Sequence, residues 1–155
     1  YVNSAAAPTN LITYSEVKFI EAEARFRLGH FADAATAFNN AVKASNILFG
    51  NSTTEELQSL DEDTLLSVFE GVPQVSISKS EYESAASVTD LLSSVSKGII
   101  FPSKGEARKM IQGGGVSLNK AKVEDGNVKP AYALLQNRYL LTQKGKKNYY
   151  LLVVE

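Results

Sequence analysis

The sequence has no cysteine, no tryptophan, one histidine, one methionine and only four prolines among its 155 residues. Without cysteine there are no disulfides, no thiolate metal sites and no thiol nucleophiles. That absence leaves the redox compartment open. No apolar run approaches the roughly 18 residues of a membrane span, and no signal peptide is visible. The chain begins at Tyr1 and its methionine is Met110, so the sequence is expected to be a fragment or a processed product. Against these absences stand 44% hydrophobic and 21% charged residues. Those proportions suit a globular protein of one domain, or two small ones, with enough chain to bury a core.

Charge is balanced only in total. Residues 1–100 carry 6 Lys+Arg against 13 Asp+Glu, and residues 101–155 carry 10 against 4, so a net −7 and a net +6 give the overall −1. A basic final third on an acidic body is the layout of a module that meets an anionic partner with one end. A solvated charged face with an accidental bias is the plainer alternative.

The N-terminal part reads as helices. After an extended lead-in over 1–12, Thr13 and Glu16 have the spacing of a capping box. Val17, Ile20, Ala24 and Leu28 then recur on one face, and Gly29 supplies a left-handed stop. Phe31 to Ser45 predicts a second helix with Ala34, Ala35, Phe38, Ala41 and Val42 as its buried stripe, making an antiparallel hairpin. The spacing Gly29, Phe31, Ala34, Phe38, Ala41 matches about one tetratricopeptide repeat, which cannot bury its own faces. Phe19, Phe26, Phe31 and Phe38 leave apolar surface to hide, so a homodimer through this hairpin is an expectation. His30, in the hairpin turn, is expected to be exposed.

Downstream, a helix ends at Gly50. Short helices follow at Thr54–Leu60, capped by Thr53 or Thr54, and from Asp61 with Leu65, Leu66 and Phe69 buried. Asp61, Glu62 and Asp63 suit the positive end of that helix better than a metal cluster. Val72–Ser78 alternates as a strand, which Pro73 marks as an edge or a strand start. A helix over Val88–Val95 begins near Ser87 or Thr89, and Ser103 caps another over Lys104–Gln112. Gly113–Gly115 lacks the Lys-Ser/Thr continuation of a phosphate loop and precedes the strand Val116–Asn119, so it reads as a turn. After a polar loop over 120–133 with a Gly126-Asn127 turn, Arg138–Gln143 and Asn148–Val154 predict a β-hairpin around Lys144-Gly145-Lys146-Lys147.

One constellation carries chemistry. Lys104, Arg108 and Gln112 share a helical face with Lys109 beside it, while Ala107, Met110 and Ile111 turn to the core. With Asn119, Lys120 and Lys122 at the strand end, and Lys144, Lys146, Lys147, Asn148 and Tyr149 at the hairpin, the pattern predicts a cationic ridge. Basic groups neutralise phosphates, and a nearby tyrosine or asparagine can stack on or hydrogen-bond an unpaired base. A lysine-rich edge that guards a hairpin against aggregation is the alternative. No catalytic constellation, metal site or cofactor site is expected.

Two resemblances follow from these residues. The segment LITYSEVKFIEAEARFRLG, within residues 1–45, resembles the C-terminal helical region of SusD/RagB-like outer-membrane glycan-binding lipoproteins, where such helices are scaffold. From about Ala44 the chain closely resembles the C-terminal portion of bacterial tyrosyl-tRNA synthetases, which ends in an S-four-type RNA-binding domain. Phe69-Glu70-Gly71-Val72-Pro73-Gln74, Pro102 to Lys109, Gly115-Val116-Ser117-Leu118-Asn119 and Lys144 to Tyr149 carry that second likeness. It implies a cytoplasmic module that grips tRNA, tyrosine tRNA above all. Lys104, Arg108 and Lys109 would be backbone contacts, and Asn119, Lys120, Lys144, Lys146 and Lys147 further candidates. The nucleotide-binding motifs of the synthetases do not occur here, so no aminoacylation is expected.

The expected class is therefore α+β: a helical hairpin at 1–45, a helical connector at 46–71 and an RNA-binding domain with a short antiparallel sheet at 72–155. Joining the two likenesses near residues 41–46 implies a fusion. An inert tail on a glycan-uptake scaffold is the rival reading.

Overall fold

The structure, a computed structural model, describes residues 13–49 and 52–155. The lead-in over 1–12 and the stop at Gly50 lie outside the described residues. The chain divides into two compact units, one built on the helical hairpin with Glu62–Gly71, the other from Thr53–Asp61 with Val72–Glu155.

In the first unit, Thr13 caps α1 (Tyr14–Arg27) by the expected reciprocal box. The Glu16 amide donates to the Thr13 hydroxyl at 3.3 Å, and the Thr13 amide donates to the Glu16 carboxylate at 2.6 Å. Gly29 follows with φ +82°, a conformation that costs a side-chain-bearing residue about 1–2 kcal/mol. The second helix, α2, spans Phe31–Phe49, one turn longer than predicted. Its packing stripe also differs from the prediction. Ala34 and Ala41 are buried, but so are Ala37, Ala44 and Ile47, while Ala35, Phe38 and Val42 are exposed. The stripe of alanines three and four apart lets backbones approach closely, and the bulkier phenylalanines are left on the rim. In α1 the buried residues are Ser15 and Ala22, and the predicted stripe of Val17, Ile20, Ala24 and Leu28 faces solvent. The helix α4 (Glu62–Val68) packs on both, and Leu65, Val68 and Phe69 are buried while Leu66 is half-buried.

The second unit opens with α3 (Thr54–Gln58), capped by a Thr53–Glu56 box. It then builds a five-stranded sheet from β1 (Gln74–Ile77), β2 (Val116–Leu118), β3 (Ala121–Lys122), β4 (Tyr139–Lys144) and β5 (Asn148–Val154), in the order β1-β5-β4-β2-β3. The class is α+β as expected. The sheet is mixed, because β1 runs parallel to β5 through Gln74↔Leu151 and its neighbours, and every other pairing is antiparallel. A helix not foreseen from sequence, α5 (Lys79–Ser84), follows β1 on a Ser78–Glu81 box. The predicted Val88–Val95 helix is α6 (Val88–Asp90), capped by Ser87, running into a π-helical turn at Leu91–Val95. Finally α7 spans Lys104–Gln112 on the Ser103 cap. Val116, Leu118, Leu140 and Leu152 on one sheet face form the core with Leu91, Leu92, Phe101, Ala107 and Ile111. That packing fixes α7 on the sheet and turns its polar side outward.

Candidate nucleic-acid interface

Helix α7 meets the geometry expected of it. Ala107 and Ile111 are buried, Met110 is half-buried, and Lys104, Arg108, Lys109 and Gln112 are exposed. Its cations are not bare, however. The Lys104 ammonium lies 2.7 Å from Asp90 of α6, and this bond holds the Asp90 carboxyl below its ordinary pKa. Arg108 donates to the Asn127 side-chain carbonyl at 3.3 Å, and Asn127 is itself folded onto Asp125 by two hydrogen bonds of 2.8 and 3.0 Å. Nothing in the residue pattern points to the Asp90 partner, whereas Asp125-Gly126-Asn127 does carry a turn signal. Gly126 is required there by space. A Cβ on it would stand 2.7 Å from Thr89 Cγ2 and 2.8 Å from Ile111 Cδ1.

The glycine turn after α7 reverses the chain tightly, with Gly114 at φ +67° and the Gly115 amide donating to the Met110 carbonyl at 2.9 Å. Between the end of α7 and β3 lies an open polar cleft of about 240 Å³, bordered by Gln112, Gly113, Gly114, Lys122 and Glu124. The Gly145 amide, at the tip of the β4–β5 hairpin, donates to the Gly115 carbonyl at 2.7 Å. That bond sets the tip beside the glycine turn, bringing the exposed Lys146, Lys147 and Asn148 to the same end of the domain as Gln112 and Lys122. Lys104, two helical turns back, stands about 12 Å from Gln112 along the axis.

Two of the predicted contacts are spoken for inside the fold. Asn119 and Lys120 form a two-residue turn between β2 and β3, both with positive φ (47° and 69°), as a type I′ hairpin requires. The Asn119 side chain is buried. Its amide donates to the Ala133 carbonyl at 2.8 Å, and its carbonyl accepts the Leu141 amide at 2.9 Å. Asn119 is therefore a clamp across the sheet, with both ends of its side-chain amide engaged within the fold. Lys144 is half-buried on the helix-facing side, donating to the Ile100 carbonyl at 2.9 Å with its ammonium 4.4 Å from the Phe101 ring centre. It ties the sheet to the segment that leads into α7.

Lys120 has a different surrounding. Its ammonium donates to the Tyr149 hydroxyl at 2.9 Å and sits 4.6 Å from that ring's centre. Burial pushes its pKa down to about 8 and pushes the Tyr149 phenol up. No carboxylate among the described residues pairs with Lys120. The ring of Tyr149 is thereby covered by a cation on one side. Across the strands Tyr149, Gln143, Ser117 and Lys122 are successive partners, so they line one polar row on the sheet face opposite the helices. Among the described residues no group of three or more His, Asp or Glu is placed to hold a metal, and no helix is long and apolar enough to cross a membrane.

The family model of the tyrosine–tRNA ligase SYY-like C-terminal domain matches residues 64–152. A tyrosine–tRNA ligase of Cytophaga hutchinsonii is 61% identical over 115 residues, covering 74% of this chain and 27% of the relative. Ligases of Bacteroides thetaiotaomicron and Flavobacterium johnsoniae are 55% and 40% identical over 119 and 124 residues, covering 76% and 80% of this chain and 27% and 28% of theirs. The chain thus spans about a quarter of the length of these relatives, and the catalytic part of those ligases has no counterpart among its 155 residues. The first 63 residues lie outside the family model's match, but alignments covering 115 to 124 of the 155 residues begin no later than residues 41 and 32, so the likeness to the ligases reaches into α2. Through residues 64–152 the chain belongs to the tyrosine–tRNA ligase SYY-like C-terminal domain family.

Proposed function

We propose that the second unit is a non-catalytic tRNA-binding module that grips tyrosine tRNA along the surface formed by α7, β3 and the β4–β5 tip. The observation that carries the reading is membership of a ligase C-terminal family by a domain whose hairpin tip, with Lys146 and Lys147, stands beside Lys122 and the end of α7. Lys104, Arg108, Lys109, Lys122, Lys146 and Lys147 would neutralise phosphates, Lys120 would meet one over the Tyr149 ring, and Gln112 and Asn148 would hydrogen-bond beside them. Asn119 and Lys144 hold the surface in shape. A cytoplasmic setting goes with this role.

The test is fluorescence anisotropy of the full chain with tyrosine tRNA, titrated with salt and competed by an unrelated tRNA. Binding that weakens steeply with salt and resists the unrelated competitor supports the proposal. Equal competition reduces it to non-specific polyanion binding, and no binding at low salt overturns it.

We read residues 1–45, helical from Tyr14 onward, as a segment fused to the tRNA-binding module, a reading that rests on the resemblance of their sequence to a lipoprotein scaffold. A natural gene in which one ancestral ligase encodes both segments would refute the fusion.

A further inference from the structure

The loop over 125–128 is an exposed turn that the fold nevertheless pins in place. The Thr89 amide donates to the Gly126 carbonyl and the Val88 amide to the Val128 carbonyl, both at 2.9 Å, so the loop is bonded to the start of α6. Gly126 is buried against the Thr89 and Ile111 side chains. Between these ties Asn127 is exposed but not loose. Its backbone amide and its side-chain Nδ2 both donate to the Asp125 carboxylate, at 2.8 and 3.0 Å. Those two bonds fix the direction of the Asn127 side chain, and the group left over, its Oδ1 carbonyl, accepts the Arg108 guanidinium at 3.3 Å.

We propose that Asn127, locked by Asp125, is a positioning residue that holds the Arg108 guanidinium ready for an RNA phosphate. This role rests on the reading of α7 as tRNA-binding. Charge is the first reason. Lys104, one turn away on the same face of α7, meets the Asp90 carboxylate at 2.7 Å, which offsets part of its charge. Asn127 offers a neutral carbonyl instead, so Arg108 is held while its charge stays available to a ligand. The nearby Asp125 carboxylate is engaged by the Asn127 N–H groups. Shape is the second reason. A guanidinium is a planar fork whose parallel donors match two oxygens of a phosphate. One N–H anchored on Asn127 orients that plane and leaves the rest of the fork open on an exposed side chain. Entropy is the third. Immobilising a long flexible side chain on binding costs roughly two- to tenfold in affinity, and an arginine already held in the free protein forfeits less of it.

The test is a double-mutant cycle on the full chain: wild type, Asn127→Ala, Arg108→Ala and the double variant, each titrated with tyrosine tRNA by fluorescence anisotropy over a salt series. Asn127→Ala keeps the backbone bond to Asp125 and the loop's ties to α6, so its thermal midpoint should match the wild type. It should weaken binding about threefold, with the salt slope of the wild type, because the same cations still meet phosphates. In the Arg108→Ala background the same substitution should change affinity less than ~1.5-fold. An equal loss in both backgrounds, the mark of a damaged loop or of an independent contact, overturns the positioning role. So does an Asn127→Ala chain that binds as well as the wild type, and in both cases the tRNA-binding reading stands. A wild-type chain that does not bind tRNA at low salt overturns the two together.

Discussion

Lys120 offers the sharpest test of the proposed interface, because its charge can be removed by pH alone. Its half-buried ammonium rests on the Tyr149 ring with one hydroxyl for a partner, and burial lowers its pKa to about 8. A phosphate placed over it restores a counter-charge and favours the protonated form, so binding above pH ~8 must take up a proton. With a free pKa of about 8, roughly nine-tenths of the domain carries this charge at pH ~7 and roughly one-tenth at pH ~9. If binding requires the ammonium, Kd should weaken about tenfold across that interval, and little below it. The chain is well suited to the measurement, having no cysteine and a single histidine, His30, which lies in the hairpin outside this domain. Stability moves the other way. With its folded pKa below the ordinary 10.5, Lys120 releases its proton earlier in the native state, so the free domain gains stability as pH rises from about 8 to about 10.5. The titration of Lys120 itself therefore does not favour unfolding at pH ~9, and circular dichroism at both pH values separates weaker binding from loss of fold. Anisotropy with tyrosine tRNA at constant ionic strength would be run on the wild type and on Lys120→Arg, whose guanidinium stays charged throughout. The variant should lose the slope. A flat wild-type profile in a chain that binds tRNA, or an equal slope in the variant, would refute the reasoning.

Three further outcomes are expected. Lys104→Ala and Arg108→Ala should each weaken tRNA binding by about 1 kcal/mol and flatten its salt dependence, and unchanged affinity in both would remove α7 from the interface. Asn119→Ala should lower stability by about 1–3 kcal/mol in urea unfolding, because it leaves the buried Leu141 amide without its partner and removes the tie to the Ala133 carbonyl; a neutral result would contradict the clamp. Gly126→Ala should cost about 1–3 kcal/mol, since its methyl would press on the buried Thr89 and Ile111 side chains. A neutral result in calorimetry would show that the loop gives way freely.

Local chemistry was legible wherever a hydroxyl and a carboxylate stood three residues apart. Thr13, Thr53 and Ser103 announce helices α1, α3 and α7, alternation announces β1, and hairpin spacing around Lys144-Gly145-Lys146-Lys147 announces β4 and β5. The Ser78–Glu81 box was equally visible, yet α5 went unforeseen because the six-residue helix buries nothing and offers no periodic stripe. Periodicity also shows that a stripe exists without showing which stripe packs. In α1 two apolar strips compete, and the smaller Ser15–Ala22 side won because it allows closer approach to α2. For the interface, the cations are legible in the residue pattern but their partners are not. Lys104, Lys120, Lys122 and Lys144 look alike in a string of letters. Their differences come from Asp90, Tyr149 and the Ile100 carbonyl, which long-range packing alone brings near.

The position of β5 bears on how the domain comes into being. The first strand in sequence finds its partner in the last, with β5 lying between β1 and β4 in the sheet. A ribosome must therefore release Val154 before Ile77 has anything to pair with. Until then β1 waits as a short unpaired strand, and the β2–β4 pairing presents a second open edge where β5 will insert. Such late closure across most of the domain's length belongs to slow-folding topologies. It makes the nascent chain, rather than the finished protein, the stage most exposed to mispairing.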